Sequence, residues 1–240
     1  MITLAFDSTA KTASVAVSDG ECLLATYNIE VGLTQSELLL PMAEDVLRSL
    51  KMSFSDVELL ACSIGPGSFT GVRIGAALIK GLAFGRNLPC VGVSTLEALA
   101  ENLAGVEGVI VPVMDARRGQ TYTATFDSDG ASLTRLTEDR AISVSQLAEE
   151  LSSFVGRKIY LVGDGYSVVA KALLDAGIKI ETTPPLLIAQ NAYSIARVAV
   201  RMHREGKHTT DLGITPTYLR MPQAERERLQ RLKAEASKEQ

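Results

Sequence analysis

The sequence is short of the residues that most often bind metals or form disulfides. Among its 240 residues there are no tryptophans, two histidines and three cysteines, Cys22, Cys62 and Cys90. The cysteines are odd in number and form no Cys-x-x-Cys pair, which argues against a disulfide framework and against a zinc knuckle. His203 and His208 are spaced so that one helix would not present both on the same face. We therefore expect no metal and no cofactor, and cysteines that serve as small core residues.

The sequence also lacks a strong charge of either sign and a long hydrophobic run. Its 28 acidic and 24 basic residues give a net charge of −4, so no general attraction to nucleic acid or to an anionic membrane is expected. No apolar run is long enough to cross a bilayer, and no basic segment precedes a hydrophobic stretch at the N-terminus. We expect a soluble cytoplasmic protein without a membrane contact.

The first part of the chain alternates between strand and helix patterns. Ile2–Phe6 and the two segments after it predict strands, with a hairpin turn at Asp19-Gly20. The apolar spacing then becomes helical over Ser36–Leu50 and again over Phe69–Phe84. The other elements predicted in this part are strands at Glu58–Ile64 and Pro89–Val93 and a third helix that ends near Leu103.

The same order of elements starts again after a glycine-punctuated break at Gly105–Gly108. Its first strand, Val109–Met114, ends in Asp115, as the strand of the first half ends in Asp7. The elements predicted after it are strands at Gln120–Phe126, Leu133–Leu136 and Lys158–Val162, a turn at Asp127–Gly130, and helices at Val144–Ser153, Val168–Ala176 and Ala189–Arg204. The sequence thus predicts an α/β fold of two lobes, 1–104 and 105–222, with mixed sheets flanked by helices. The charged tail, 223–240, is predicted to be a frayed helix or disordered.

Two acidic turns follow the first strands of the two halves. One is Asp7-Ser8-Thr9, and the other runs from Asp115 to Gln120 and contains two arginines. Such turns can hold a metal-bound phosphate. Short side-chain bonds from Asp7 and Thr9 to their own turn explain the same residues without any ligand. Neither loop decides between these interpretations by itself.

The most informative stretch runs from Ser63 to Gly75. Two glycines flank Pro66 between a predicted buried strand and a predicted helix, so the backbone turns sharply and leaves N–H groups free where an anion can bind. The stretch lacks the Gly-Lys-Ser/Thr ending of a P-loop, which argues against nucleotide binding of that kind. Ser68 is a favourable N-cap, and this is a sufficient structural reason for its presence.

Three glycines of this stretch recur every four residues, at positions 67, 71 and 75. A glycine inside a helix costs about 1 kcal/mol relative to alanine. We therefore expect something to lie very close to this side of the helix. It is either the chain's own sheet or another protein, and the sequence alone leaves both possibilities open.

Several motifs occur together in an order that resembles one family. They are Asp7-Ser8-Thr9, Gln35-Ser36-Glu37 followed by Leu-Leu-Leu-Pro41, the run Gly65-Pro-Gly-Ser-Phe-Thr-Gly-Val-Arg-Ile-Gly75, Asp115-Ala-Arg-Arg118 and Pro216-Thr-Tyr-Leu-Arg220. Together they resemble the TsaB (YeaZ) family over positions 1–222, and the run from 65 to 75 is specific. The resemblance implies the two-lobed actin-like fold of the acetate kinase/sugar kinase/Hsp70/actin superfamily.

The resemblance also implies a function and partners. TsaB proteins act with a paralogue, TsaD, which transfers threonylcarbamoyl to the adenosine next to the tRNA anticodon, and an ATPase, TsaE, joins the complex. TsaB is the inactive relative. We therefore expect a non-catalytic subunit that forms a heterodimer with TsaD and a homodimer when alone. We expect it to meet tRNA only through the complex.

In this family the first two helices carry the partner contacts. The matching residues here are Gln35, Leu39, Val46, Phe69, Gly71, Arg73, Gly75, Leu78 and Leu82. The acidic turns, with Asp7, Ser8, Thr9 and Asp115, become vestigial phosphate loops in this interpretation. Most members have histidine at the position of Gln35, and its absence further favours a non-catalytic role.

Two hypotheses from other functional classes remain open from the sequence. One is an ATP-dependent small-molecule kinase of the same superfold, which would use Asp7 and Asp115 around a metal-bound nucleotide. The other is a metal-dependent glycoprotease-like hydrolase.

Overall fold

The computed structural model of the protein describes residues 1–32 and 34–220. The tail predicted over 223–240 lies outside them. The strands are β1 (Ile2–Asp7), β2 (Ala13–Asp19), β3 (Cys22–Ile29), β4 (Leu59–Gly65), β5 (Cys90–Ser94), β6 (Glu107–Asp115), β7 (Gln120–Thr123), β8 (Phe126–Asp129), β9 (Leu133–Arg135), β10 (Arg140–Ser143) and β11 (Ile159–Val162). The helices are α1 (Gln35–Ser49), α2 (Phe69–Ala83), α3 (Thr95–Glu101), α4 (Val144–Leu151), α5 (Tyr166–Asp175), α6 (Pro185–Ile188) and α7 (Ala192–Arg204).

The first sheet has β1 at its centre, in the order β3-β2-β1-β4-β5. Strand β1 pairs antiparallel with β2, where Ala5 lies opposite Ala16, and parallel with β4, where Ala5 lies opposite Ala61. Helices cover both faces of this sheet, and its central strands therefore consist almost entirely of buried residues. The predicted turn between β2 and β3 is confirmed, with Gly20 at a φ of +56°.

The second sheet repeats this plan. Strand β6 pairs parallel with β11 along one edge and antiparallel with β7 and β8 along the other. Strands β10 and β9 extend the sheet beyond β7 and β8. The prediction of mixed sheets flanked by helices, built twice on one strand plan, is confirmed.

The helices do not follow the predicted lobe limits. Helices α1 and α2 cover one face of the first sheet, and α7 covers the other. Helices α4 and α5 cover one face of the second sheet, and α3 covers the other. Helix α3 precedes the predicted boundary at 104 but packs on the second sheet and, through Ala98, also on the first. Helix α7 follows the boundary but packs on the first sheet. Periodicity shows that a helix has an apolar stripe, but it does not show which sheet that stripe will meet.

Helices α3 and α7 pack against each other where the two lobes meet. The buried carboxylate of Glu101 lies 3.0 Å from the Arg197 guanidinium and 3.3 Å from that of Arg201. One helical turn away, the Ser194 hydroxyl donates to the Asn102 side-chain oxygen at 2.6 Å. A buried charge that keeps two guanidinium partners restricts the helices to a narrow range of positions.

Some predicted elements differ from the structure. The single strand predicted over Gln120–Phe126 is broken between β7 and β8, because the Thr125 N–H donates to the Thr137 hydroxyl at 2.8 Å instead of to a neighbouring strand. The turn predicted at Asp127–Gly130 falls largely within β8. Strand β10 was not predicted. Cys62 and Cys90 are buried as expected, but Cys22 is exposed on β3 and is not a core residue.

The glycine pattern of α2 is explained inside the chain. A Cβ atom on Gly71 would lie 1.8 Å from the Ser8 carbonyl oxygen, and one on Gly75 would lie 2.8 Å from the Ser8 hydroxyl oxygen. The Ser8 hydroxyl also donates to the Gly71 carbonyl oxygen at 2.8 Å. The β1–β2 turn thus rests directly on the start of α2. The prediction that Gly71 and Gly75 meet a partner is wrong.

The prediction is also wrong for two residues of α1. Leu39 and Val46 are 1% and 0% exposed, and they belong to the core between α1, α2 and the first sheet. The helical stripe was predicted correctly, but this stripe faces the chain's own sheet. The opposite side of each helix is the one that a partner can reach.

We predict opposite effects for two Gly→Ala substitutions in α2. Gly71→Ala forces the added methyl group into the Ser8 carbonyl and should lower the free energy of unfolding by about 1–3 kcal/mol. Gly81 has open space around its Cβ position, so Gly81→Ala should raise it by up to about 1 kcal/mol through helix propensity. Urea denaturation of both variants measures the two effects. Equal effects would show that Gly71 is not in close contact with Ser8.

Candidate functional site

A cleft of about 880 Å³ opens between the two lobes. Loops that follow β1, β4 and β6 form its walls, which is where open α/β sheets bind ligands. The aromatic rings that line it belong to Phe69, Tyr122 and Tyr218. Residues of the two acidic turns that the sequence singled out, one turn from each lobe, also line this cleft.

Asp7 does not line this cleft. Its Oδ1 atom accepts hydrogen bonds from the Thr9 N–H at 2.8 Å and the Thr9 hydroxyl at 2.6 Å. Its Oδ2 atom accepts one from the Ser63 hydroxyl at 2.7 Å. The residue is 1% exposed, and this burial raises the pKa of Asp7, whereas the hydrogen bonds from Thr9 and Ser63 lower it. Asp7 therefore organises its own turn, in agreement with the interpretation that needs no ligand.

The polar groups at the start of α2 are likewise hydrogen-bonded within the chain. The Ser68 N–H donates to the Thr9 carbonyl oxygen at 2.7 Å. The Ser68 hydroxyl accepts the Gly71 N–H at 3.2 Å and caps the helix. Ser68 therefore acts as the predicted N-cap, and its own N–H is not available to an anion.

Asp115 lies on the other side of the cleft and is exposed. Its Oδ1 atom accepts the Arg117 N–H at 2.7 Å, and its own N–H donates to Asp164 Oδ1 at 3.3 Å. Burial raises the pKa of Asp164, the hydrogen bond from the Asp115 N–H lowers it, and the nearby Asp115 charge raises it, with a raised pKa as the result. Asp164 was not predicted as part of the site, because nothing in its sequence pattern placed it beside Asp115.

The loop after Asp115 has an unusual backbone. Arg117 and Arg118 have φ angles of +63° and +57°, a region that residues with a side chain rarely adopt. Arg117 lines the cleft. Backbone conformations of this kind concentrate at functional loops, because the surrounding structure must hold them in place.

Gln35 faces the β1–β2 turn. Its side-chain amide donates to the Ala10 carbonyl oxygen at 2.8 Å and to the Lys11 carbonyl oxygen at 3.2 Å. The residue is half-buried at the edge of the cleft. In this structure Gln35 fixes a turn, and a direct contact with a partner remains a prediction.

A segment that the sequence analysis did not assign to any element forms part of the cleft. Residues 214–220, here called the C-terminal strap, run along the first lobe and reach the second. The Thr217 N–H donates to the Ile64 carbonyl oxygen at 2.7 Å, and Arg220 Nη1 donates to the Ala116 carbonyl oxygen at 2.5 Å. The Pro216-Thr-Tyr-Leu-Arg220 motif was the available signal, but its spacing gave no indication of where it would dock.

The accessible side of the first two helices is here called the α1/α2 outer face. It consists of Leu40, Phe69, Arg73, Ala77, Leu78, Gly81, Leu82 and Phe84. Leu40 is 42% and Phe84 79% exposed, whereas Phe69, Leu78 and Leu82 are half-buried. Of the residues predicted to contact a partner, this face therefore retains Phe69, Arg73, Leu78 and Leu82. It adds four residues that the predicted contacts did not include, Leu40, Ala77, Gly81 and Phe84.

The two histidines lie together, away from the cleft. The His203 and His208 rings have their centres 4.5 Å apart, and burial lowers the pKa of His203, with a smaller effect from His208. Within residues 1–32 and 34–220, no group of three or more His, Cys, Asp or Glu side chains is arranged to hold a metal ion. In the same residues no helix combines the length and apolar character needed to span a membrane.

Comparisons with known proteins agree on one family. The family model described as TsaD, tRNA N6-adenosine threonylcarbamoyltransferase, matches residues 33–228. The tRNA threonylcarbamoyladenosine biosynthesis protein TsaB of Escherichia coli is 31% identical, over 90% of this chain and 94% of its own length. The TsaB protein of Bacillus subtilis is 28% identical, over 94% of this chain and 96% of its own.

A solved structure has the same fold. YeaZ from Pseudomonas aeruginosa superposes with a TM-score of 0.74 at 23% identity, covering 91% of this chain and 99% of that one. This agreement shows that the two proteins share one fold. The matches cover nearly the whole length of the relatives as well as of this chain, so they do not arise from one shared motif. The chain belongs to the TsaB (YeaZ) family, within the wider group that the TsaD family model describes.

Proposed function

We propose that this chain is a non-catalytic subunit in the biosynthesis of tRNA threonylcarbamoyladenosine. Its relatives in Escherichia coli and Bacillus subtilis carry that pathway in their names. The observation that carries the proposal of a non-catalytic role is the position of Asp7. Both of its carboxylate oxygens are bound by Thr9 and Ser63 inside the chain.

The proposed mode of action is binding to a TsaD-type paralogue through the α1/α2 outer face. A TsaE-type ATPase would join this heterodimer, and tRNA would be met only in the complex. The same face would support a homodimer when the paralogue is absent. Ala77 and Gly81 support this proposal, because small exposed residues one helical turn apart allow a second helix to approach closely, while Leu78 and Leu82 supply apolar area beside them.

A kinase of the same superfold is the second candidate, and the size of the cleft is the observation in its favour. A metal-bound nucleotide would need free acidic oxygens from both turns. Asp115 is exposed and available, but Asp7 is buried and fully hydrogen-bonded. The residues present therefore fit a metal-bound nucleotide poorly. The hydrolase alternative needs a metal-binding group of side chains, and no specific observation favours it.

We predict that a large side chain introduced on the α1/α2 outer face weakens binding of the paralogue. Ala77→Arg places a long charged side chain where a partner helix would approach, and it should weaken the affinity for the TsaD-type protein of the same organism at least tenfold. Ser167→Arg makes a comparable change at an exposed position on α5 of the other lobe and serves as the control. Calorimetric titration measures both affinities. Equal affinities of the two variants would contradict the proposed surface.

We predict that Asp7→Asn preserves the function of the chain. The amide oxygen can accept both hydrogen bonds from Thr9, and the amide N–H₂ can donate to a reoriented Ser63 hydroxyl, so every buried polar group keeps a partner. The variant should therefore support tRNA modification by the paralogue at the wild-type rate. A kinase that relied on the Asp7 carboxylate would lose its activity.

The dependence of the free energy of unfolding on pH provides a check on the protonation of Asp7. The folded protein holds the Asp7 proton more tightly than the unfolded chain does, because the pKa of Asp7 is raised. Its contribution to stability is therefore complete below the unfolded pKa and is lost as the pH rises through the folded pKa. Asn has no such loss, so Asp7→Asn should gain stability relative to the wild type as the pH rises above about 4. Parallel stability curves would contradict this assignment.

A further inference from the structure

The C-terminal strap connects the two lobes on the side of the cleft. Ile214, at its start, is 1% exposed and belongs to the core under α1 and α2. Thr217 then bonds to Ile64 in the first lobe, and Arg220 bonds to Ala116 in the second. The strap is therefore held at both ends, by different lobes.

The strap packs closely against a glycine of the first lobe. Gly65 has a φ of +112°, and a Cβ atom on it would lie 2.4 Å from the Thr217 carbonyl oxygen. Any residue with a side chain would push the strap away at this point. Gly65 belongs to the run from 65 to 75 that the sequence analysis found most informative, and its position is explained by the strap.

The middle of the strap adds a side chain to the α1/α2 outer face. The Tyr218 ring centre lies 4.5 Å from that of Phe69 on α2. The guanidinium carbon of Arg73 lies 3.9 Å from the Phe69 ring centre, and Arg73 Nε donates to the Tyr218 hydroxyl oxygen at 2.9 Å. The three side chains form one stack at the N-terminal end of α2.

This stack has the character of a binding surface. Arg73 is exposed and Tyr218 is 41% exposed, and among the described residues no carboxylate forms an ion pair with Arg73. Its guanidinium is nevertheless oriented by two aromatic rings and one hydrogen bond. Tyrosine and arginine, together with tryptophan, are enriched at the energetically dominant positions of protein interfaces. A guanidinium held in this way is pre-organised to bind a carboxylate.

The stack is also continuous with the rest of the outer face. Phe69, Arg73, Ala77 and Gly81 follow one another at intervals of four residues along α2, so they lie on one side of the helix. A helix that approached Ala77 and Gly81 closely would reach Arg73 at its end. The occupant that fits is therefore a helix with an acidic side chain near one end.

We propose that the C-terminal strap is part of the partner surface and couples partner binding to the loop at 115–119 of the second lobe. The inference rests on the proposed function, in which a TsaD-type paralogue occupies the α1/α2 outer face. A carboxylate of that paralogue contacts Arg73 and buries Tyr218. Because Arg220 follows Tyr218 by two residues and holds the Ala116 carbonyl, the bound paralogue also fixes the loop at 115–119 beside the cleft.

Four variants separate the parts of this proposal in calorimetric titration against the paralogue. Tyr218→Ala removes the stack and should weaken binding at least tenfold, and Arg73→Ala should do the same. Tyr218→Phe keeps the ring and should lose less than Tyr218→Ala. Arg220→Ala leaves the stack in place and should bind within threefold of the wild type. Wild-type affinity for Tyr218→Ala would overturn the proposal.

Hydrogen exchange tests the coupling between the partner surface and the loop at 115–119. In the wild type, the paralogue should slow the exchange of backbone amides at 115–119 at least fivefold. In Arg220→Ala this slowing should disappear although the paralogue still binds. Equal slowing in both proteins, or none in the wild type, would overturn the coupling.

The controls distinguish this proposal from the proposed function. A wild-type chain that does not bind the paralogue at all would overturn both. Tight binding that is lost in Ala77→Arg but unchanged in Tyr218→Ala would overturn only the role of the strap. If Tyr218→Ala weakened self-association of the chain but not heterodimer formation, the occupant would be a second copy, and the proposal would again be overturned.

Discussion

The structure depends on the close contact between the β1–β2 turn and the start of α2. Gly71 admits the Ser8 carbonyl to a distance that no other residue allows, and the Ser8 hydroxyl returns a hydrogen bond to the helix. This contact places Thr9 over Ser68 and leaves Asp7 enclosed between Thr9 and Ser63. The two loops that the sequence analysis considered for phosphate or anion binding are thus hydrogen-bonded to one another. The contact between the β1–β2 turn and α2 also fixes which side of α2 faces outward.

Much of the fold was predictable, because the apolar periodicity changes clearly between strands and helices. The ends of α1 and α2 were predicted to within one or two residues, and the repeat of the strand plan followed from the two strands that end in Asp7 and Asp115. The packing of α3 between the two sheets and of α7 on the first sheet was not predictable. It depends on long-range burial such as that of Glu101 against Arg197, and no local pattern records it. The break between β7 and β8 likewise depends on a hydrogen bond to the distant Thr137.

The sequence indicated which segments surround the candidate site, but not which of their residues face the interior of the chain and which face outward. The motifs singled out α1, α2 and the acidic turns, yet glycine spacing alone could not distinguish an internal neighbour from an external one. Gly71 and Gly75 turned out to face Ser8, and Leu39 and Val46 turned out to face the sheet. Gly81 has the opposite environment, with no atom near its Cβ position. The three-dimensional contact, and not the residue type, separates a packing glycine from one on an open surface.

In the proposed function, a partner of this chain carries out the chemistry. The most direct test is a reconstitution of tRNA modification from a purified TsaD-type paralogue, a TsaE-type ATPase, tRNA and the threonylcarbamoyl adenylate donor, with and without this chain. The account predicts that threonylcarbamoyladenosine forms only when the chain and the paralogue are both present, and that the chain alone forms none. Modification of tRNA by this chain in the absence of the paralogue, or an undiminished reaction when the chain is left out, would contradict it.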